Sequence, residues 1–354
     1  MEVVEPRGHR EIAIRLWRAA AAGRLPHALA FEGPAGIGKH ATARWLAAGL
    51  LCAGGPGPPC GTCGPCKRVR SGREYSNHPD LFLLDADLEG EEHLRLHRMT
   101  YRPQTPEISD PERCVQVFLD LCPLEGGWRI VLIRDAHRLV DEAQNALLKT
   151  LEEPRAATLL VLDTDRPAAL LPTIRSRCVG VRFAPLGAED CRTVLAAAGL
   201  AGERGARLAR WSGGSPGQAV ALARRGAEEM REVLARVLAG ELSPRAGTER
   251  VLALEGDFGG SKARAKERNR ARAFLDVAVA VVADLRRAAA GAPAEALRHG
   301  DLVAAGRPMP AGEADLAERV ELLAEIRSDV ERNLGPETIV ERALLVCGEG
   351  AGIL

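Results

Sequence analysis

The sequence is short of aromatic residues: phenylalanine, tryptophan and tyrosine together make up 3% of its 354 positions, so its cores must be aliphatic. It has no net charge either. Lysine plus arginine equals aspartate plus glutamate at 48 each, which leaves any nucleic-acid contact to local patches. Met1 to Arg10 carry two glutamates and lack the apolar run of a secretory signal, so the expected location is the cytoplasm. The most apolar later stretch, Leu275 to Leu285, is interrupted by Asp276 and Asp284 and falls short of the roughly 20 residues of a membrane span. It reads as a buried helix. No internal repeat of steady period is apparent.

What is present is a globular composition, 46% hydrophobic and 27% charged, on a chain long enough for two or three domains. Three are read. In the first, Arg10 to Gly23 has helical apolar spacing through Ile12, Leu16 and Ala20. His27 to Phe31 is a short apolar run that meets a glycine-rich turn, and a second helical pattern follows from Lys39 to Leu51. Leu81 to Leu84, Ile130 to Ile133 and Leu159 to Leu162 are aliphatic runs suited to central strands of a parallel sheet. Helical stretches lie between them, so residues 1–186 are expected to form an α/β domain with helices on both faces of the sheet. Strand signals stop after Leu186. Residues 187–226 read as a small helical domain punctuated by glycines, and 227–354 as a helical third domain, broken at 256–261 and 306–312.

Gly33-Pro-Ala-Gly36-Ile-Gly38-Lys39-His40 matches the phosphate-binding loop through its lysine and sits between a strand and a helix, as that chemistry requires. Backbone amides of Gly33, Gly36 and Gly38 would cradle phosphates, and Lys39 would pair with the outer ones. The next position breaks the pattern, because His40 has no hydroxyl to ligate Mg²⁺. Thr42, about 200° around the helix, is poorly placed to substitute. The strand Ile130 to Ile133 should end in a metal-binding aspartate followed by a catalytic glutamate, but the two places hold Arg134 and Asp135. A cation there would repel the metal. Mg²⁺ is therefore not expected, and occupancy of the loop by ATP or ADP stays open.

Four of the nine cysteines, Cys52, Cys60, Cys63 and Cys66, follow the spacing C-x7-C-x2-C-x2-C in a Gly/Pro-rich segment. In a reducing compartment this suits tetrahedral Zn²⁺ held by thiolates, as a structural module over 52–66 with no open coordination position. Cys114, Cys122, Cys191 and Cys347 lack such spacing and read as small apolar residues.

In this order the motifs resemble the clamp-loader branch of the AAA+ family. Arg24-Leu-Pro-His-Ala28, the loop from Gly33 to Lys39 and the cysteine insertion after its helix are similar to the bacterial gamma, tau and delta-prime subunits. So are Asn77-His-Pro-Asp80, Asn145-Ala-Leu-Leu-Lys-Thr-Leu-Glu-Glu-Pro154 and Ser176-Arg-Cys178. The likeness covers residues 8 to 186; the third domain matches loosely, through Glu331-Arg-Asn333 and the aliphatic helix after Pro336.

The resemblance implies an AAA+ domain, a small helical lid and a helical collar that assembles with partner subunits into a loader, which opens a ring-shaped clamp and places it on primed DNA. By match, Arg177 is an arginine finger acting on ATP held by a neighbouring subunit. Thr164 resembles the first phosphate sensor, or simply starts a turn. Ser212 to Gln218 resembles the second-sensor helix, with Gly217 or Gln218 where active subunits carry arginine. Departures at His40, Arg134 and the second sensor point to the delta-prime type, a non-hydrolysing member of the DNA polymerase III holoenzyme with gamma/tau-type and delta-type partners. Two alternatives remain: an active gamma/tau-like ATPase with Asp135 on the metal, and a stand-alone zinc-dependent nucleic-acid-binding protein. Arg24, Arg68, Arg70 and Arg73, with the basic run Ser261 to Arg270, are the candidate DNA contacts; without interleaved aromatics the run reads first as a solvated helix face. Lys149 is a candidate coupling residue, while Leu147, Leu148 and Leu151 read as core.

Overall fold

The computed structural model describes residues 5–71, 77–89, 91–101, 103–104, 110, 114–125, 127–259, 263–304, 312–330 and 334–348. Arg73, Ser261, Lys262, the stretch 306–311 and Glu331-Arg-Asn333 lie outside them. The chain divides into two compact units, residues 1–191 and 192–354.

The first unit opens with α1 (Arg10–Ala21), which buries Ile12, Ala13 and Trp17, and the Trp17 indole donates to the Leu46 carbonyl at 3.0 Å. β1 (Ala28–Glu32) leads through the glycine loop into α2 (Lys39–Leu50), and α3 (Gly64–Ser71) closes the cysteine segment. Then come β2 (Leu81–Leu84), α4 (Ala86–Glu89), α5 (Val115–Asp120), β3 (Arg129–Ile133), α6 (Asp141–Glu152), β4 (Thr158–Thr164), α7 (Pro172–Arg175) and β5 (Val179–Arg182). The strands form one five-stranded sheet in the order β2-β3-β4-β1-β5, and every pairing is parallel. β1 to β4 are the aliphatic runs expected from sequence. β5 was not expected, because as an edge strand with exposed residues and Gly180 at its centre it needs no apolar run.

All strands point the same way, so the segments leaving β1, β2, β3 and β4 converge on one edge, where ligands bind in open parallel sheets. The opposite edge is fixed by charge. Asp80, fully buried, accepts hydrogen bonds from the amides of Leu124 and Glu125 at 2.8 and 2.7 Å and from Arg129 at 2.9 Å. Arg129 begins β3 and lies 4.0 Å above the Phe118 ring. The Asn77-His-Pro-Asp80 segment therefore sets where β2 and β3 begin.

Beyond α8 (Ala188–Ala197), which spans the division, the second unit holds α9 (Gly202–Trp211), α10 (Pro216–Arg224), α11 (Ala227–Leu238), α12 (Pro244–Ala253), α13 (Ala263–Ala289), α14 (Gly300–Ala304), α15 (Glu313–Asp329) and α16 (Pro336–Gly348). α10 and α12 both start Ser-Pro, the serine capping the helix and the proline taking its first position, where no N–H is needed. The core is aliphatic apart from Phe258 and Phe274, and α13 supplies much of it from Ala271 to Leu285. The stretch Leu275 to Leu285 is thus a buried helix: Asp276 faces Arg327 at 3.4 Å, and Asp284 accepts from the His299 amide at 2.7 Å. Among the described residues no helix is long and apolar enough to cross a membrane.

Candidate nucleotide and metal sites

The glycine loop wraps from β1 into α2 with Gly33, Gly36 and Gly38 at φ of +152°, +74° and +102°. Gly33 is obligatory on space as well, since a Cβ there would lie 2.4 Å from the Phe183 carbonyl. Lys39 is buried and donates to the carbonyls of Gly33 and Pro34, both at 2.9 Å. Burial pushes its pKa down against the pull of Asp163, Asp165 and Asp135. Thr42 turns its hydroxyl onto the Gly38 carbonyl at 2.9 Å, so it offers nothing to a metal.

His40, in the hydroxyl's place, puts Nδ1 3.4 Å from the Asp163 carboxylate. Asp163 is one of the residues that sequence reading missed: it sits in β4, one position before Thr164, is 4% exposed, and accepts from the Asp135 amide at 3.2 Å. The available signal was an acidic residue directly after the aliphatic run Leu159 to Leu162. Thr164 accepts from the Arg166 amide at 3.0 Å, so it does start a turn. Its hydroxyl also lies 3.4 Å from His137 Nδ1.

At the end of β3, Arg134 donates to Asp85 at 2.8 Å, and Asp85 is buried just past β2. The position where the sequence analysis expects a metal ligand thus holds a cation, paired with a carboxylate just past the end of β2. Asp135 follows at φ +49°, a left-handed conformation uncommon outside glycine. Burial raises its pKa, with Asp163 adding to the effect and Arg134 opposing it.

Arg177 lies between α7 and β5. Its guanidinium donates to Glu152 at 2.6 Å and to the Thr173 carbonyl at 3.0 Å, with about a third of the side chain exposed. Ser176 bonds the same carbonyl at 3.1 Å. Burial, with Glu32 adding, pushes the Cys178 thiol up to about 11. Beside this segment a depression of about 480 Å³ is lined by Glu32, Pro167, Pro172, Arg175 and Ser176.

The sulfurs of Cys52, Cys60, Cys63 and Cys66 all lie within 4.8 Å of one another. Metal–sulfur bonds of about 2.3 Å put tetrahedral ligands roughly 3.8 Å apart, so the four could hold a metal ion with small shifts. The backbone is arranged for it. The amides of Gly54, Cys63 and Cys66 point at the sulfurs of Cys52, Cys60 and Cys63 at 3.5, 3.4 and 3.5 Å. The Thr62 hydroxyl and the amides of Cys63 and Thr62 bring Cys60 down to about 5, while burial pushes Cys66 up to about 12. Burial opposes ionisation of Cys63, but amides from Ala53 and Cys66 outweigh it. Of the other cysteines, Cys114, Cys191 and Cys347 are buried as expected, whereas Cys122 is exposed on the loop before β3.

In the second unit, Ser215 caps α10 by accepting from the Gln218 amide at 3.3 Å, and Gly217 and Gln218 are exposed. In the basic run, Arg264, Lys266 and Arg268 are exposed, while Arg270 reaches the Leu252 carbonyl and lies 4.9 Å over Phe258. Arg68 pairs with Glu125. Leu147 and Leu151 are buried in the core, Leu148 packs partly against it, and Lys149 is exposed.

The family described as DNA polymerase III, delta subunit, matches residues 8–187. The chain is 38% identical to the DNA polymerase III subunit delta' of Pseudomonas aeruginosa over 217 residues, which is 59% of this chain and 60% of that protein. It is 36% identical to subunit delta' of Bacillus subtilis over 171 residues, 48% of this chain and 46% of that one. Escherichia coli subunit tau is 33% identical over 189 residues, 53% of this chain and 26% of tau. The matches thus span 60% or less of these relatives' lengths. A DNA polymerase III gamma subunit-related protein of Thermotoga maritima superposes with a TM-score of 0.51 over 95% of this chain and 98% of that one, at 16% identity, which speaks to fold alone. On the match over 8–187 and the delta' relatives, the chain belongs to the delta-prime family of DNA polymerase III subunits, related to gamma and tau.

Proposed function

We propose that the chain is a clamp-loader subunit that does not hydrolyse ATP itself and lends Arg177 to ATP bound by a neighbouring gamma/tau-type subunit while the sliding clamp is loaded on primed DNA. The observation that carries this is the Arg134–Asp85 ion pair, which fills the place of the metal-binding carboxylate. Hydrolysis needs Mg²⁺ between the outer phosphates, and neither His40 nor Arg134 can ligate it. An arginine finger works independently of its own subunit's nucleotide, because it stabilises charge building on a phosphoryl group across the interface. Arg177 is suited to that use. Its partner Glu152 is half exposed, and a surface pair of this kind is worth only about 0–1 kcal/mol, so leaving it is cheap.

On this reading the AAA+ domain covers 1–186, a lid 187–226 and an assembling collar 227–354, in a cytoplasmic complex with gamma/tau-type and delta-type subunits. Cys52, Cys60, Cys63 and Cys66 hold a structural Zn²⁺, which supplies a rigid staple and no chemistry. DNA contact is weak and sequence-independent, through exposed arginines such as Arg24 and Arg70. A second reading, a gamma-like ATPase, draws on the carboxylates of Asp135, Asp163 and Asp165 around Lys39. ATP turnover by the isolated chain with Mg²⁺ separates the two: absence of turnover is expected, and turnover lost in Lys39→Ala would establish the second.

A further inference from the structure

Arg44 is buried in the middle of α2, 7% exposed, and has no carboxylate partner among the described residues. Its one hydrogen bond runs from Nη2 to the Val69 carbonyl at 3.4 Å. Burial lowers its pKa, and no acid opposes the shift. The other buried arginines described are each matched: Arg129 with Asp80, Arg231 with Asp301 and Arg319 with Asp315. A guanidinium taken out of water without a counter-charge is costly, so the contact it makes there is the feature to explain.

Val69 lies in the last turn of α3, and Cys66 lies three residues earlier in the same helix. Arg44 thus braces the helix that carries one sulfur of the cluster, against the helix that leads to another, Cys52.

We propose that Arg44 is a positioning residue of the cysteine module, its bond to the Val69 carbonyl tying α3, which carries Cys66, to α2, which leads to Cys52. The proposal rests on the reading of the four cysteines as a metal site. It explains a buried cation that the nucleotide loop, at the other end of α2, does not use.

The test uses the full chain, wild type and the variants Arg44→Lys, which keeps the charge, and Arg44→Met, which keeps the stem. Zinc content is measured by elemental analysis, then zinc release to a chromophoric chelator, then thermal unfolding before and after metal removal. Residues that support metal ligands typically affect affinity by 10–100-fold, so Arg44→Met should release zinc at least about tenfold faster than wild type, with Arg44→Lys close to wild type. Arg44→Met should also destabilise the zinc-loaded protein more than the stripped one. Equal release by all three proteins, equal release by the Lys and Met variants, or the same loss of stability in both forms would reduce Arg44 to packing and overturn the proposal. If Arg44→Met does not fold, Arg44→Gln takes its place. Wild-type protein without zinc would instead remove the metal reading itself, a failure visible before any variant is compared.

Discussion

Arg134 and Asp85 close an ion pair of 2.8 Å across the ends of β3 and β2, with the carboxylate buried and the guanidinium partly exposed. The position expected from the sequence to present a metal ligand is thus held in an ion pair. Replacing Arg134 by alanine leaves Asp85 buried without its counter-charge. Breaking a fully buried pair costs roughly 3–5 kcal/mol, and the exposure of Arg134 scales this down to about 1–2 kcal/mol. Urea unfolding of Arg134→Ala should show that loss. It should not bring ATP turnover, because His40 still stands where the hydroxyl belongs.

The Asp80–Arg129 pair is buried on both sides, and it also holds the amides of Leu124 and Glu125. Asp80→Ala strands a buried guanidinium and two amides, so the expected cost is about 3–5 kcal/mol. Denaturant titration of the variant checks this, and a change below about 1 kcal/mol would mean that β2 and β3 are positioned by their apolar contacts alone.

His299, in the second unit, stacks near Trp211 at 5.2 Å and is pushed down to about 4, chiefly by burial, with Arg231 and Arg298 adding and Asp284 and Asp301 opposing. Its unfolded value is about 6.5, so between these values the unfolded chain binds the extra proton. Stability from this group is whole above pH 6.5 and falls as pH drops towards 4, by an amount on the order of 3 kcal/mol. His299→Gln should unfold with less acid sensitivity than wild type when urea midpoints at pH 7 and pH 5 are compared. Identical pH dependence would contradict the buried, neutral imidazole.

How much of this was legible in the sequence follows from the physics of each feature. The four aliphatic runs declared β1 to β4 because strands covered on both faces must be apolar throughout. β5 gave no such signal, since it lies at the end of the described sheet with most of its residues exposed. The glycines at 33, 36 and 38 and the cysteine spacing were readable because turn geometry and metal coordination fix residue type at fixed intervals. Asp85 and Asp163 were not, because their roles depend on which strand ends meet, and the order β2-β3-β4-β1-β5 is a long-range property. The same holds for Glu152 as the partner of Arg177, 25 residues away.

The measurement that bears most directly on the central claim is ATP hydrolysis by a loader reconstituted from this chain with the proposed gamma/tau-type and delta-type subunits, with wild type compared to Arg177→Ala. Arginine fingers typically contribute 10³–10⁵-fold to a single site, and removing one finger among several should cut DNA-stimulated turnover by a large fraction without disturbing assembly. That loss, with no turnover by the isolated chain, is what the account predicts. Unchanged turnover in the Arg177→Ala assembly would contradict it.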